Sequence, residues 1–86
     1  MSAKEIRDKI TGYTRNRQQM RLANRYLSRG NDAGLREMGF TGEQIAKLKE
    51  PDLHGKTGFH PDLIRRATQR IYELKKQLAE RSKTNG

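Results

Sequence analysis

The sequence predicts an all-α fold, a small bundle of about four helices in which two longer basic helices flank a short helix-corner-helix. Three observations carry that reading. Boxes of the kind that start helices stand at Ser2-Ala3-Lys4-Glu5 and Thr41-Gly42-Glu43-Gln44. Ile64, Ala67, Ile71, Leu74 and Leu78 recur at alternating intervals of three and four, drawing one stripe along a helix. No segment carries a strand signal.

In order along the chain, the first helix begins near residue 3, where the Ser2 hydroxyl and the Glu5 carboxylate satisfy free amides reciprocally. Ile6, Ile10 and Tyr13 give it a narrow apolar face. Gly12 costs about 1 kcal/mol relative to alanine and is expected to divide off a longer piece, Tyr13 to Arg29. Gly30 then closes the helix and Asn31-Asp32 opens a turn. Two short helices follow: Leu35 and Met38 face inward on the first, Gly39 ends it, Phe40 plugs the corner, and Ile45 and Leu48 line the second until Glu50-Pro51 stops it. Residues 51–60, PDLHGKTGFH, have no helical period and read as a flexible loop. Pro61 fits the first position of the last helix, which is expected to run to about residue 81 and leave 82–86 as a frayed tail.

At 86 residues the chain forms a single domain, residues 1–81, able to bury only about 60% of its unfolded surface. Hydrophobic residues are 31% and charged residues 34%, so the core is expected to be thin. Cysteine is absent, which removes disulfides and thiolate metal sites. No apolar run approaches the roughly 18 residues of a membrane span, and MSAKEIRDKI lacks a signal peptide's apolar segment; the expected location is the cytoplasm.

Net charge is +9, split as +6 over residues 1–30, −2 over 31–62 and +5 over 63–86. Two basic arms of this kind attract polyphosphate by counterion release. Within the first, Arg17, Arg21, Arg25 and Arg29 stand at intervals of four, so on a helix they form a ridge that drifts about 40° per step. Only two acids in that arm can relieve their mutual repulsion. A guanidinium grips phosphate with paired hydrogen bonds or stacks on a base. Arg15 lies on the same helix, and Tyr26, with Tyr13, is a candidate for base stacking. Arg65, Arg66 and Arg70 lie on the polar side of the last helix, and packing the two long helices side by side would join both arms into one basic surface. The expected activity is therefore non-catalytic, cofactor-free binding of nucleic acid, with RNA favoured over DNA because no helix-turn-helix pair is evident and arginine-rich segments recur in RNA recognition. The alternative is a protein-interaction module, a small phage-type inhibitor for instance, whose ridge fills an acidic groove on a partner protein.

The segment Leu35-Arg36-Glu37-Met38-Gly39-Phe40-Thr41-Gly42-Glu43-Gln44-Ile45 after an arginine-rich helix resembles the YjiS-like family of short arginine-rich bacterial proteins, over about residues 15–48. Leu35, Gly39, Thr41 and Ile45 fit that family's corner, while Glu37 and Gly42 replace its usual aspartate and arginine. The resemblance implies a basic helix joined to a capped corner, and RNA binding, which is suggested for some members. Met38-Gly39-Phe40 also looks like the loop of ubiquitin-associated domains, whose further pattern is missing downstream.

Two other features bear on function. Asp52, His54, Lys56 and His60 contain the histidine pair of a metal-independent ribonuclease, yet their spacing imposes no geometry and His60 is placed simply to precede a helix. They do not reach the four ligands of a zinc site, and Lys56-Thr57-Gly58 lacks the rest of a phosphate loop. The stripe on the last helix either packs on the chain's own core or, through Ile64, Ile71, Leu74 and Leu78, forms a homodimer seam.

Overall fold

A computed structural model describes residues 1–85, and the side chains of residues 1–81. It contains α1 (Ala3–Ser28), α2 (Asp32–Glu37), α3 (Gly42–Lys49) and α4 (Pro61–Asn85), and no strand among the described residues. The all-α class and the long-short-short-long order follow the sequence.

The helix starts are set locally. Ser2 Oγ accepts from the Glu5 amide at 3.2 Å, the hydroxyl half of the expected box. Asn31 Oδ1 accepts from Gly34 N at 3.0 Å and caps α2. Thr41 and Gln44 make the full reciprocal box at α3, at 3.2 and 2.9 Å. Ahead of Pro61, His60 Nδ1 accepts from the Asp62 amide at 3.0 Å, so this ring caps α4. Gly30 and Gly39 close their helices at φ of 66° and 102°, each followed by a residue whose amide reaches back across the last turn: Asn31 to the Tyr26 carbonyl and Phe40 to the Leu35 carbonyl.

Two expectations about the long helices are corrected. Gly12 does not divide α1, which is continuous for 26 residues. Ile6 and Ile10 before the glycine and Tyr13 and Met20 after it all turn toward α4, and packing of one face on both sides outweighs a single poor helix former. Likewise α4 continues through Asn85 rather than ending near residue 81, so the backbone of 82–85 extends the helix, while Gly86 lies outside the described residues.

The two long helices run antiparallel: Arg17 meets Thr68, and Asn24, about two turns later, meets Phe59 at the entrance to α4. Between them lie Ile6, Met20, Ala67, Ile71 and Leu74, all buried, with Ile64 and Leu78 half-buried. The stripe on α4 is therefore covered by α1 within one chain. The homodimer seam through Ile64, Ile71, Leu74 and Leu78 is corrected accordingly, since its central residues Ile71 and Leu74 have no exposed surface to offer a second copy.

A second cluster sits where α2 and α3 fold onto the end of α1. Ala23, Leu35 and Ile45 are buried there, with Tyr26, Leu27, Met38, Phe40 and Phe59 packed around them. Phe40 and Phe59 approach with ring centroids 6.2 Å apart. Met38 and Phe40, which resemble part of the loop of ubiquitin-associated domains, belong to this packing. The result is a rod, 50 × 28 × 18 Å with a radius of gyration of 16.4 Å, against about 12 Å for a globular chain of this length. Its long sides are the exposed faces of α1 and α4.

The loop 51–60 is held at several points rather than flexible. Asp52 Oδ1 accepts from the amides of His54 and Lys56 at 2.8 and 2.9 Å, and the Asp52 amide returns a bond to the Lys56 carbonyl. Those amides, Lys56 first, hold the Asp52 carboxyl below its ordinary pKa. Gly58 N donates to the Leu48 carbonyl at 2.7 Å. The Asn24 amide then clamps the Phe59 peptide from both sides, donating to its carbonyl at 2.9 Å and accepting from its N–H at 2.7 Å. Gly58 is required at this point: its φ is +83°, and a Cβ there would collide with Asn24 Oδ1.

Candidate nucleic-acid interface

The arginine row is built by α1, and its drift separates its members. Three of them, Arg21, Arg25 and Arg29, are exposed and make no ion pair among the described residues. They lie opposite the face carrying Met20, Ala23 and Leu27. Arg17, first in the row, has turned into the α1–α4 seam instead. It is half-buried, its Nη1 donates to Thr68 Oγ1 at 3.2 Å, and its Nε is shut off from solvent without an acceptor. Three turns at about 40° each explain the difference: the drift that carries Arg29 away from α4 brings Arg17 under it. Arg17 thus stands in the seam at the edge of the ridge. Arg15 is exposed on α1.

On α4 the basic residues divide. At about 100° per residue, Thr68 and Tyr72 fall on one flank of the buried Ala67-Ile71-Leu74 stripe and Arg66 and Arg70 on the other. Because Arg17 reaches Thr68, the first flank adjoins the arginine row. Arg65 and Lys76, three residues before Thr68 and four after Tyr72, continue that face. Arg65 is ion-paired with Asp62, which also stands 3.5 Å from His60 Nδ1. The other flank meets Tyr13: Arg70 Nη1 donates to Glu73 Oε2 at 3.2 Å, and the Tyr13 side chain, ahead of Glu73, raises the Arg70 pKa above the ordinary value. Arg66 and Arg70 line a groove there with Tyr13 and Asn16. The two basic arms thus produce two surfaces, one on each side of the hairpin, rather than one.

Tyr26 is half-buried and packs against the corner cluster, close enough that a Cβ on Gly34 would stand 3.0 Å from its ring. The exposed aromatic is Tyr72, at 73% relative accessibility, on the same flank as Thr68 and the row. Its position was legible: it follows Ile71 directly, which turns it about 100° off the apolar stripe. Tyr26 stands about 60° beyond Ala23 on the helix, where Gly34 of α2 packs against its ring.

His60 Nδ1 is engaged as the α4 cap, and exposed His54 is fixed through its backbone to Asp52. Among the described residues no three His, Cys, Asp or Glu side chains converge as metal ligands, and no helix is long and apolar enough to cross a membrane.

Comparison with known proteins finds no match: no family model fits the chain, and no curated protein or solved structure is significantly similar to it.

Proposed function

We propose that this protein is a small non-catalytic nucleic-acid-binding regulator, taking RNA in preference to DNA, and that the exposed face of the α1–α4 hairpin is its contact surface. The observation that carries this reading is the unpaired row Arg21, Arg25 and Arg29, exposed at one-turn intervals and continued across the seam by Arg65 and Tyr72. Neighbouring like charges at this spacing cost an isolated helix about 0.2–0.5 kcal/mol per pair. A polyanion lying along the ridge turns that repulsion into attraction and releases counterions. An exposed ring beside such a track suits unpaired bases, which stack without regard to sequence.

The test is titration of labelled single-stranded RNA, duplex RNA and DNA over a range of salt. If Arg21, Arg25, Arg29 and Arg65 neutralise four phosphates, log K falls with log salt at a slope of about −3 on single strands. Failure to bind any nucleic acid at low salt overturns the reading and leaves the ridge to an acidic protein surface.

A further inference from the structure

The flank of the hairpin facing away from the row carries a feature that packing does not explain. Gly12 is exposed in the interior of a 26-residue helix, has no positive φ, and a Cβ built on it meets nothing within 4 Å. Neither backbone geometry nor any neighbour in the chain requires a glycine there, although alanine is the better helix former. Gly12 forms the floor of a shallow groove of about 330 Å³ with Lys9, Tyr13 and Asn16. Tyr13 and Asn16 also line the adjoining groove of about 280 Å³, whose far wall is Leu63, Arg66 and Arg70. Arg66 is shared in turn with a depression lined by Asp62, Arg65 and Gln69, where Asp62 pairs with Arg65. Arg65, Arg66 and Arg70 therefore lead round the N-terminal half of α4, past the Asp62–Arg65 ion pair, and link the separate surface that carries the row with the flank of Gly12.

The chemistry along this path is specific. Arg70 is held by Glu73 before any ligand arrives, and Arg66 has no ion pair among the described residues. The Asn16 amide is exposed and makes no hydrogen bond among the described residues, so both its donor and its acceptor are free. Two guanidiniums, a lysine, an aromatic ring and a free amide around an open glycine suit one nucleotide: phosphate against Arg66 and Arg70, base over Gly12 beside Tyr13, base edge read by Asn16. We infer that this groove holds a single unpaired nucleotide of the RNA whose backbone lies on the row, and supplies the base recognition that the row lacks. The inference rests on the proposed RNA binding and adds that the preferred strand is single, since a paired base cannot enter the groove.

The experiment compares single-stranded and duplex RNA binding by the whole chain carrying Gly12→Leu, which fills the groove and favours the helix, beside Arg21→Glu/Arg25→Glu. With Gly12→Leu, single-strand affinity is expected to fall about tenfold, as for loss of one stacked base, while duplex affinity changes less than about twofold. The double glutamate variant lowers both. Single-strand affinity unchanged by Gly12→Leu, with the ridge variant still impaired, overturns the groove and keeps the ridge. Absence of all RNA binding by the unaltered protein overturns both. Should Gly12→Leu lose helicity, Asn16→Ala at its exposed position decides: selective loss of single-strand affinity supports the groove, and unchanged affinity overturns it.

Discussion

Replacing Asn24 with alanine removes one side chain that ties three parts of the fold together. Its amide bonds the Phe59 peptide twice, at 2.9 and 2.7 Å, across 35 residues of sequence. That peptide sits between Gly58, bonded to the end of α3, and His60, which caps α4. Each bond is part-buried, so its net worth is about 1 kcal/mol, and the Phe59 N–H and C=O left behind lose further free energy unless water replaces the amide. The sum is about 2–3 kcal/mol. With a urea m-value of about 1 kcal/mol/M for so small a domain, the midpoint falls by about 2–3 M. Asn24→Asp separates the two bonds, because a carboxylate accepts from the Phe59 N–H but repels its carbonyl; it is expected to recover little of the loss. Urea denaturation followed by far-UV circular dichroism reads both variants. A loss below about 0.5 kcal/mol for Asn24→Ala would refute the clamp, because an ordinary exposed substitution costs no more.

Three further outcomes follow from the same geometry. Gly12→Ala stabilises the protein by about 1 kcal/mol, seen as a rise of about 4–8 °C in melting temperature, since the added methyl meets nothing; a fall shows that the position is constrained. Arg17→Met keeps the stem packed in the seam and removes a buried Nε that has no acceptor. Stability is expected to stay level or rise by about 1 kcal/mol, with RNA affinity reduced less than by Arg21→Met; a large destabilisation contradicts the placement of Arg17. The Asp52 carboxyl is depressed by the Lys56 and His54 amides, so its contribution to the loop is present above the ordinary carboxylate pKa and lost as pH falls through the depressed value. The His54 and Lys56 amide resonances should titrate with that low midpoint, and Asp52→Asn should abolish the transition; a midpoint at or above the ordinary value contradicts the turn.

Much of the fold was legible because its signals are local. Ser2, Asn31, Thr41 and the His60-Pro61 pair each mark a helix start within three residues, and Gly30 and Gly39 mark two ends. What the sequence hid depends on how α4 lies against α1. Four arginines at equal intervals look equivalent until a second helix covers one edge of the ridge and takes Arg17. Gly12 looked like a break because propensity counts residues singly, whereas the opposing helix stabilises both halves at once. Asn24 gave no signal, because its partner is a loop peptide far along the chain. Tyr72 was readable from its offset to the apolar stripe, and the pairing of Arg66 and Arg70 with Tyr13 was not, since it required knowing which flank of α4 faces which side of α1.

The account stands on the row Arg21, Arg25 and Arg29, and its most direct test is the salt dependence of RNA binding by Arg21→Glu/Arg25→Glu beside the unaltered protein. Two reversed charges are expected to leave helicity intact, lower single-strand affinity at low salt by more than tenfold, and flatten the log-log salt slope by at least about 1.4 for two lost phosphate contacts. Equal affinity and equal slope for the two proteins, both folded, would contradict the claim that RNA lies along this ridge.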